Sequence, residues 1–139
     1  MIAIVLSNFN QKVTDGLLNG CIKALDKNGI GKDKLSINRV PGAFEIPFKV
    51  NKILQSKKKY DAIITLGAII KGETDHYHFI SEAVTNAIMN ISAKTTTPVL
   101  YGVITCQNKV LAFSRSGNNM NDNKGFEVGK AAIDVIRNC

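Results

Sequence analysis

The segment "GAIIKGETDHYHF" (residues 67–79) carries both histidines of the chain, His76 and His78, just beyond a glycine-opened, acidic turn. Imidazole is the side chain whose charge changes near neutral pH, so a histidine beside an anion-friendly turn is a candidate for proton transfer. Glycines at 67 and 72 would let a ligand approach the backbone closely, and the amides opening the following helix form a natural anion site. The positive end of that helix would favour the neutral, proton-accepting form of His76. The same residues also suit a plainer role, in which Thr74 or Asp75 caps the helix and His76 faces solvent. His78 falls on a different face of the helix. His-x-His is poor ligand spacing on a helix and no third ligand is in view, so no metal is expected.

Three further stretches hold groups with chemical capacity. In "VPGAFEIP" (40–47) a Pro41-Gly42 turn would expose the amides of Ala43 and Phe44, with Glu45 just before a helix. Amides beside one carboxylate suit a polyhydroxylated or heterocyclic ligand; an ordinary strand-to-helix loop looks the same. In "SNFN" (7–10) Phe9 follows a strand directly, where its ring could stack on a planar ligand. Tyr101 lies inside a strand pattern and reads as core. Arg115 and Lys124 flank the polar loop "SGNNMNDN", with Glu127 following Lys124. Two such cations can grip a phosphate, or can simply be surface charge. No GxGxxG, Walker-type, Ser-His-Asp or Cys-His pattern is present.

These groups need elements to hold them, and the apolar pattern supplies them. Ile2–Leu6 reads as a strand covered on both faces. Val13, Leu17, Leu18, Cys21, Ile22 and Leu25 recur at helical spacing, and Asn28-Gly29 closes that helix. Leu35, Ile37 and Arg39 mark a weaker strand ending at Val40-Pro41-Gly42. Phe48, Val50, Ile53 and Leu54 mark a short helix with Pro47 in its first turn. "AIITL" (62–66) is a buried strand, followed by the histidine turn. Phe79, Ile80, Ala83, Val84, Ala87, Ile88 and Ile91 stripe a third helix. "VLYGVIT" (99–105) is a fourth strand, followed by a short helix near 110–114 and a last helix over about 124–137. Strands alternating with helices imply right-handed parallel crossovers and a sheet covered on both sides. The expected fold is a single-domain, three-layer αβα sandwich around a mainly four-stranded parallel sheet. In such folds ligands bind beyond the carboxyl ends of the strands, and each chemically unusual stretch follows a strand.

Composition bounds the partners. One chain of 139 residues fits one core. Apolar runs are far too short for a membrane span, and the start "MIAIVLSNFN" has neither a basic region nor a cleavage site, so no membrane or secretory destination is expected. Three cysteines without CxxC spacing argue against a disulfide framework or zinc site and suit a reducing cytosol. The charge of +7 suits nucleic acid, an anionic surface or phosphorylated small molecules. The lysines are scattered, however, and "KKK" at 57–59 reads as a solvated helix end, so no nucleic acid is expected.

Taken together, "SNFN", "VPGAFEIP", "LGAIIKGETDHYHF", "PVLYGVIT" and "NKGFE" resemble the lumazine synthase family of riboflavin biosynthesis, in order and spacing, over essentially the whole chain. The resemblance implies a flavodoxin-like fold and a condensation of 5-amino-6-(D-ribitylamino)uracil with 3,4-dihydroxy-2-butanone 4-phosphate. The products are 6,7-dimethyl-8-ribityllumazine, phosphate and water, and neither metal nor organic cofactor is required. It further implies that Phe9 stacks on the pyrimidine, that Ala43 and Phe44 bind through backbone groups, and that Glu45 meets the ribityl hydroxyls. Ala68, Ile69 and Ile70 join them as binding positions. Gly72, Glu73 and Thr74 resemble the turn meeting the phosphate-bearing substrate, and His76 the proton-transfer histidine. Tyr101 matches an aromatic offered by a neighbouring subunit. Arg115 matches the phosphate-binding arginine, with Lys124 and Glu127 as a supporting pair.

The resemblance also implies a homopentamer with sites between subunits, and in some members an icosahedral shell of sixty chains. The chain lacks the usual leader before its first strand. Its 115–124 loop is one residue longer than the commonest form and lacks an internal lysine, which favours a free pentamer. Ser7 and Lys71 stand where alanine and arginine are common. Rival readings are an archaeal-type riboflavin synthase, a basic α/β binding module and an inactive shell protein. "GETDH" and the intact "NKGFE" favour the synthase.

Overall fold

The computed structural model describes residues 1–139. Nine principal elements follow one another: β1 (Ile2–Ser7), α1 (Gln11–Lys27), β2 (Leu35–Val40), α2 (Ile46–Leu54), β3 (Ala62–Ile70), α3 (His76–Lys94), β4 (Val99–Cys106), α4 (Lys109–Ser114) and α5 (Lys124–Asn138). Short 3₁₀ turns lie at Lys32–Lys34 and Ala43–Glu45. All four strands are parallel, in the order β2-β1-β3-β4. This is the expected flavodoxin-like three-layer sandwich.

Strand side chains alternate between the two faces, and each face has its own core. Ile2, Ile4, Leu6, Ile64, Leu66 and Ala68 pack with Leu17, Cys21 and Leu25 of α1 and Val128 and Ala132 of α5. Ala3, Val5, Ile63, Ile69 and Val103 pack with Ile46 and Val50 of α2 and Val84 and Ile88 of α3. β1 is buried along its whole length because helices cover both its faces. Gly29, at φ 85°, closes α1 as Asn28-Gly29 predicts.

Helices α1 and α5 lie unusually close. A Cβ on Gly125 would collide with the Leu17 carbonyl, one on Gly16 with the Ser116 carbonyl, and one on Gly20 with the Asn123 side-chain oxygen. Asn123 sits in this seam, 2% exposed. Its Nδ2 donates to the Gly16 and Gly117 carbonyls at 3.1 and 2.9 Å, and its Oδ1 accepts from the Phe126 amide at 3.0 Å.

Four expectations need correction. Strand β3 runs on through Ile70 rather than stopping at Leu66, because Gly67–Ile70 pair with Val103–Cys106. Phe48 is exposed, since the buried face of α2 is Ile46, Val50 and Ile53. Only Val84 and Ile88 of the α3 stripe are buried, with Phe79 and Ala83 turned outward. Tyr101 is not core: β4 is an edge strand, and the residue is 37% exposed with its hydroxyl 2.8 Å from Thr85 Oγ1.

Cys21 offers a test of the α1 packing. Burial pushes its thiol from an ordinary value of 9.0 up to about 12. Above pH 9 the unfolded chain therefore loses a proton that the folded chain keeps, and stability falls as pH rises. Melting temperatures from pH 8 to 10.5 are expected to drop more steeply for the parent than for Cys21→Ala. Equal slopes would contradict the burial.

Candidate functional site

The strand order reverses between β1 and β3, and the two strands part beyond Leu66. Past Ser7 the chain leans toward β2 instead: the Asn8 amide donates to the Val40 carbonyl at 2.8 Å, and the Phe9 amide to the Pro41 carbonyl at 2.9 Å. The last residues of β3 are left paired on one side only, with β4. A cleft of about 360 Å³ opens at this split. Such a switch point is where open parallel sheets bind ligands.

Residues from three loops, the end of one strand and one helix line it. Phe9 and Asn10 come from the turn after β1, Gly42 to Glu45 from the turn after β2, and Ala68, Ile69 and Ile70 from the end of β3. Gly72, Thr74 and His76, with Tyr77 and Ile80 of α3, form the remaining wall. The sequence-predicted Phe9, Ala43, Phe44, Glu45, Ala68, Ile69, Ile70, Gly72, Thr74 and His76 thus converge on one cavity. Sequence reasoning missed Asn10, Gly42, Tyr77 and Ile80. Spacing of i, i+1 and i+4 from His76 places Tyr77 and Ile80 on or beside its face, and that signal was available.

Local geometry explains several placements. Glu45 Oε1 accepts from the Gly42 amide at 2.9 Å, half of a capping box, which fixes the carboxylate at the rim. A carboxylate accepts several hydrogen bonds, so this one leaves capacity for a ligand hydroxyl. The first amides of the Ala43–Glu45 turn have no partner within it. Phe9 is 73% exposed, an apolar ring held out of any core. His76 is the first residue of α3, and its amide donates to Thr74 Oγ1 at 3.3 Å, whereas Asp75 makes no side-chain cap. Thr74 therefore caps the helix while both residues also face the cleft. His78 is exposed and stands edge-on to Tyr77 at 5.1 Å between ring centres.

Gly67 has a different role from the one expected. A Cβ there would press on Ile46 and Ser7 at 3.1 and 3.2 Å, so its small size serves packing beneath the cleft. Gly72 has open space around it.

Five predicted residues lie outside this cavity. Glu73 is exposed at the turn. Tyr101 lies midway along β4, and burial raises its phenol above the usual range against a lowering by the Thr85 hydrogen bond. Arg115, Lys124 and Glu127 form a separate cluster on the α1/α5 face of the sheet. The Arg115 Nη1 lies 3.5 Å from Cys106 Sγ, the Lys124 amide donates to the Arg115 carbonyl at 2.8 Å, and Lys124 Nζ meets Glu127 Oε1 at 2.9 Å. The cleft accordingly has no cation of its own among its lining residues. No group of three His, Cys, Asp or Glu side chains is arranged to hold a metal ion.

A family model described as 6,7-dimethyl-8-ribityllumazine synthase matches residues 1–139.

Asn10 has φ 61°, the one left-handed non-glycine residue of the chain, and its Nδ2 approaches the Ala68 carbonyl at 3.4 Å. A β-branched residue tolerates this backbone poorly, at a cost of roughly 1–2 kcal/mol. Asn10→Val is expected to lower the melting temperature clearly, and Asn10→Gly to stay close to the parent. Equal melting temperatures for the two would show that the turn relaxes without cost.

Proposed function

The chain belongs to the 6,7-dimethyl-8-ribityllumazine synthase family, and from that membership we propose how its cleft works. It is a transferase-type enzyme of riboflavin biosynthesis. The reaction joins 5-amino-6-(D-ribitylamino)uracil to 3,4-dihydroxy-2-butanone 4-phosphate, with release of phosphate and water. The observation that carries the site assignment is the meeting of Phe9, Glu45 and His76 in one cavity at the sheet's switch point.

In this reading the pyrimidine ring stacks on Phe9, and its polar edge meets the one-sided backbone of Ala68, Ile69 and Ile70. Ribityl hydroxyls bond to the amides of Ala43 and Phe44 and to the free oxygen of Glu45. The phosphate ester sits at Gly72, Glu73, Thr74 and the amides opening α3, where the helix end favours negative charge. The aryl amine attacks the ketone and loses water to form an imine. Proton removal then expels phosphate, and tautomerisation precedes ring closure, which releases a second water. Each step moves a proton near neutral pH, and His76 is placed to shuttle it. Holding both substrates in one cleft turns a bimolecular encounter into an intramolecular one.

A departing phosphate needs a fixed cation, and the cleft lacks one. We assign that role to Arg115 of a neighbouring copy, supported by its Lys124 and Glu127, with the neighbour's Tyr101 covering the ring. The exposed Phe48, Phe79 and Met89 support burial against another copy. These features favour association with shared sites, and family membership makes a homopentamer our reading of it, with a sixty-chain shell as the larger alternative. Three free cysteines support a reducing, cytoplasmic setting, and no helix is long and apolar enough to cross a membrane.

Two experiments test the assignment. His76→Ala is expected to slow lumazine formation by roughly 10- to 10⁴-fold, followed by product fluorescence and phosphate release together. Unchanged turnover would return His76 to a solvent-facing place at the start of a helix capped by Thr74. Arg115→Ala alone is expected to weaken use of the phosphate-bearing substrate. Co-refolding His76→Ala with Arg115→Ala chains should restore activity to roughly a quarter of the parent, since random mixing pairs an intact half-site with an intact partner that often. No recovery would place both residues in one chain's site.

A further inference from the structure

We infer that Arg39, which lies outside the cleft, is a positioning residue that clamps the Phe9 turn in its ligand-binding geometry. The inference rests on the reading of Phe9 as the ring that stacks on the pyrimidine. A ring 73% exposed has no core packing to hold it, so its backbone must do so. The turn is held from below by the amides of Asn8 and Phe9 bonded to Val40 and Pro41, and by left-handed Asn10. From the side, Arg39 of the edge strand β2 splits its guanidinium between two partners. Nη1 donates to Asn8 Oδ1 at 3.1 Å, and Nη2 to Asp15 Oδ1 at 2.9 Å. One planar fork thus joins the residue before Phe9 to the second turn of α1. A lysine could not hold both acceptors in one plane.

The clamp is half exposed, 37% for Arg39 and 40% for Asp15, and exposed pairs add little to folding stability. Its consequence belongs to the geometry of the ring. A stacking platform that is fixed before the ligand arrives binds more tightly than one that must be ordered on arrival. Losing the fork therefore weakens uniform binding of the pyrimidine substrate, which raises its KM and spares kcat.

The test uses the full-length enzyme. Arg39→Gln is expected to raise KM for the pyrimidine substrate about three- to tenfold, with kcat, KM for the phosphate ester and melting temperature near the parent's. Asp15→Ala should act alike, and the double variant should be little worse than either single one, because the two residues act through one contact. The chain has no Trp, so Phe9→Trp supplies a single reporter at the ring. Its fluorescence anisotropy is expected to fall when Arg39→Gln is added. Unchanged anisotropy, or a fall in melting temperature without a change in KM, overturns the clamp. Phe9→Ala separates the two levels of the reading. A normal pyrimidine KM there removes the stacking role and this inference with it, whereas a raised KM there with a normal one in Arg39→Gln overturns the clamp alone.

Discussion

The parting of β1 from β3 beyond Leu66 is the constraint on which the site depends. Within a parallel sheet successive residues direct their amide and carbonyl alternately to the strand on one side and the strand on the other, so losing one neighbour leaves every second residue's groups unpaired. Here β1 hands its hydrogen bonds to β2 and the turn after it, while β3 continues for four more residues against β4 alone. Apart from the long Asn10 Nδ2 contact to the Ala68 carbonyl at 3.4 Å, the edge of Gly67–Ile70 that faces away from β4 is polar backbone without a strand partner, lined by apolar side chains and placed beside a helix start. That combination suits a flat heterocycle with hydrogen-bonding edges. Lys71 keeps the arrangement in register, its amide donating to the Cys106 carbonyl at 2.9 Å before the chain turns into α3.

The opposite face of the sheet is built for rigidity. Its core holds 17 buried residues against 12 on the α2/α3 face, and the α1–α5 seam is tightened by glycines that let backbone meet backbone. Asn123 joins α1, the loop after α4 and the start of α5 through three hydrogen bonds. Such a buried amide is costly unless fully partnered, and here it is. Because the Arg115 carbonyl accepts from the Lys124 amide next to Asn123, this pin also fixes where the Arg115 cluster stands. Arg115, Lys124 and Glu127 are all absent from the cleft's lining, and in the assembly we propose the guanidinium comes from a neighbouring copy.

Much of this was legible in the sequence because it depends on local rules. Period-2 and period-3.6 apolar patterns, Asn28-Gly29 and the early Pro47 located the elements, and the rule of carboxyl-edge binding gathered the chemical segments. What escaped has a tertiary origin. The extension of β3 to Ile70 depends on pairing with a strand more than thirty residues away. Tyr101 has a core pattern but lies on an edge strand, and Phe48 and Phe79 have apolar character without a covering element in the chain. The role of Gly67 is likewise set by Ile46 and Ser7, not by its neighbours in sequence. Motif order grouped Arg115, Lys124 and Glu127, which do lie together, but it carried no information about which face of the sheet they occupy.

The uneven packing of the two faces has a functional logic. Phe9 and Phe44 are exposed at the rim of the cleft, and Phe48, Phe79 and Met89 are exposed on the two helices that cover the thinner core. Each of these exposed side chains forgoes burial that would stabilise the monomer by roughly 1.5–3 kcal/mol. Val110 and Phe113 of α4 are exposed as well, but the glycine contacts and the hydrogen-bonded buried Asn123 all lie in the α1–α5 seam, so the tightest packing stands away from the chemistry. The cleft half can then leave rings, open strand edge and helix amides available to ligand and, in the assembly we propose, to the neighbouring copy that completes the site.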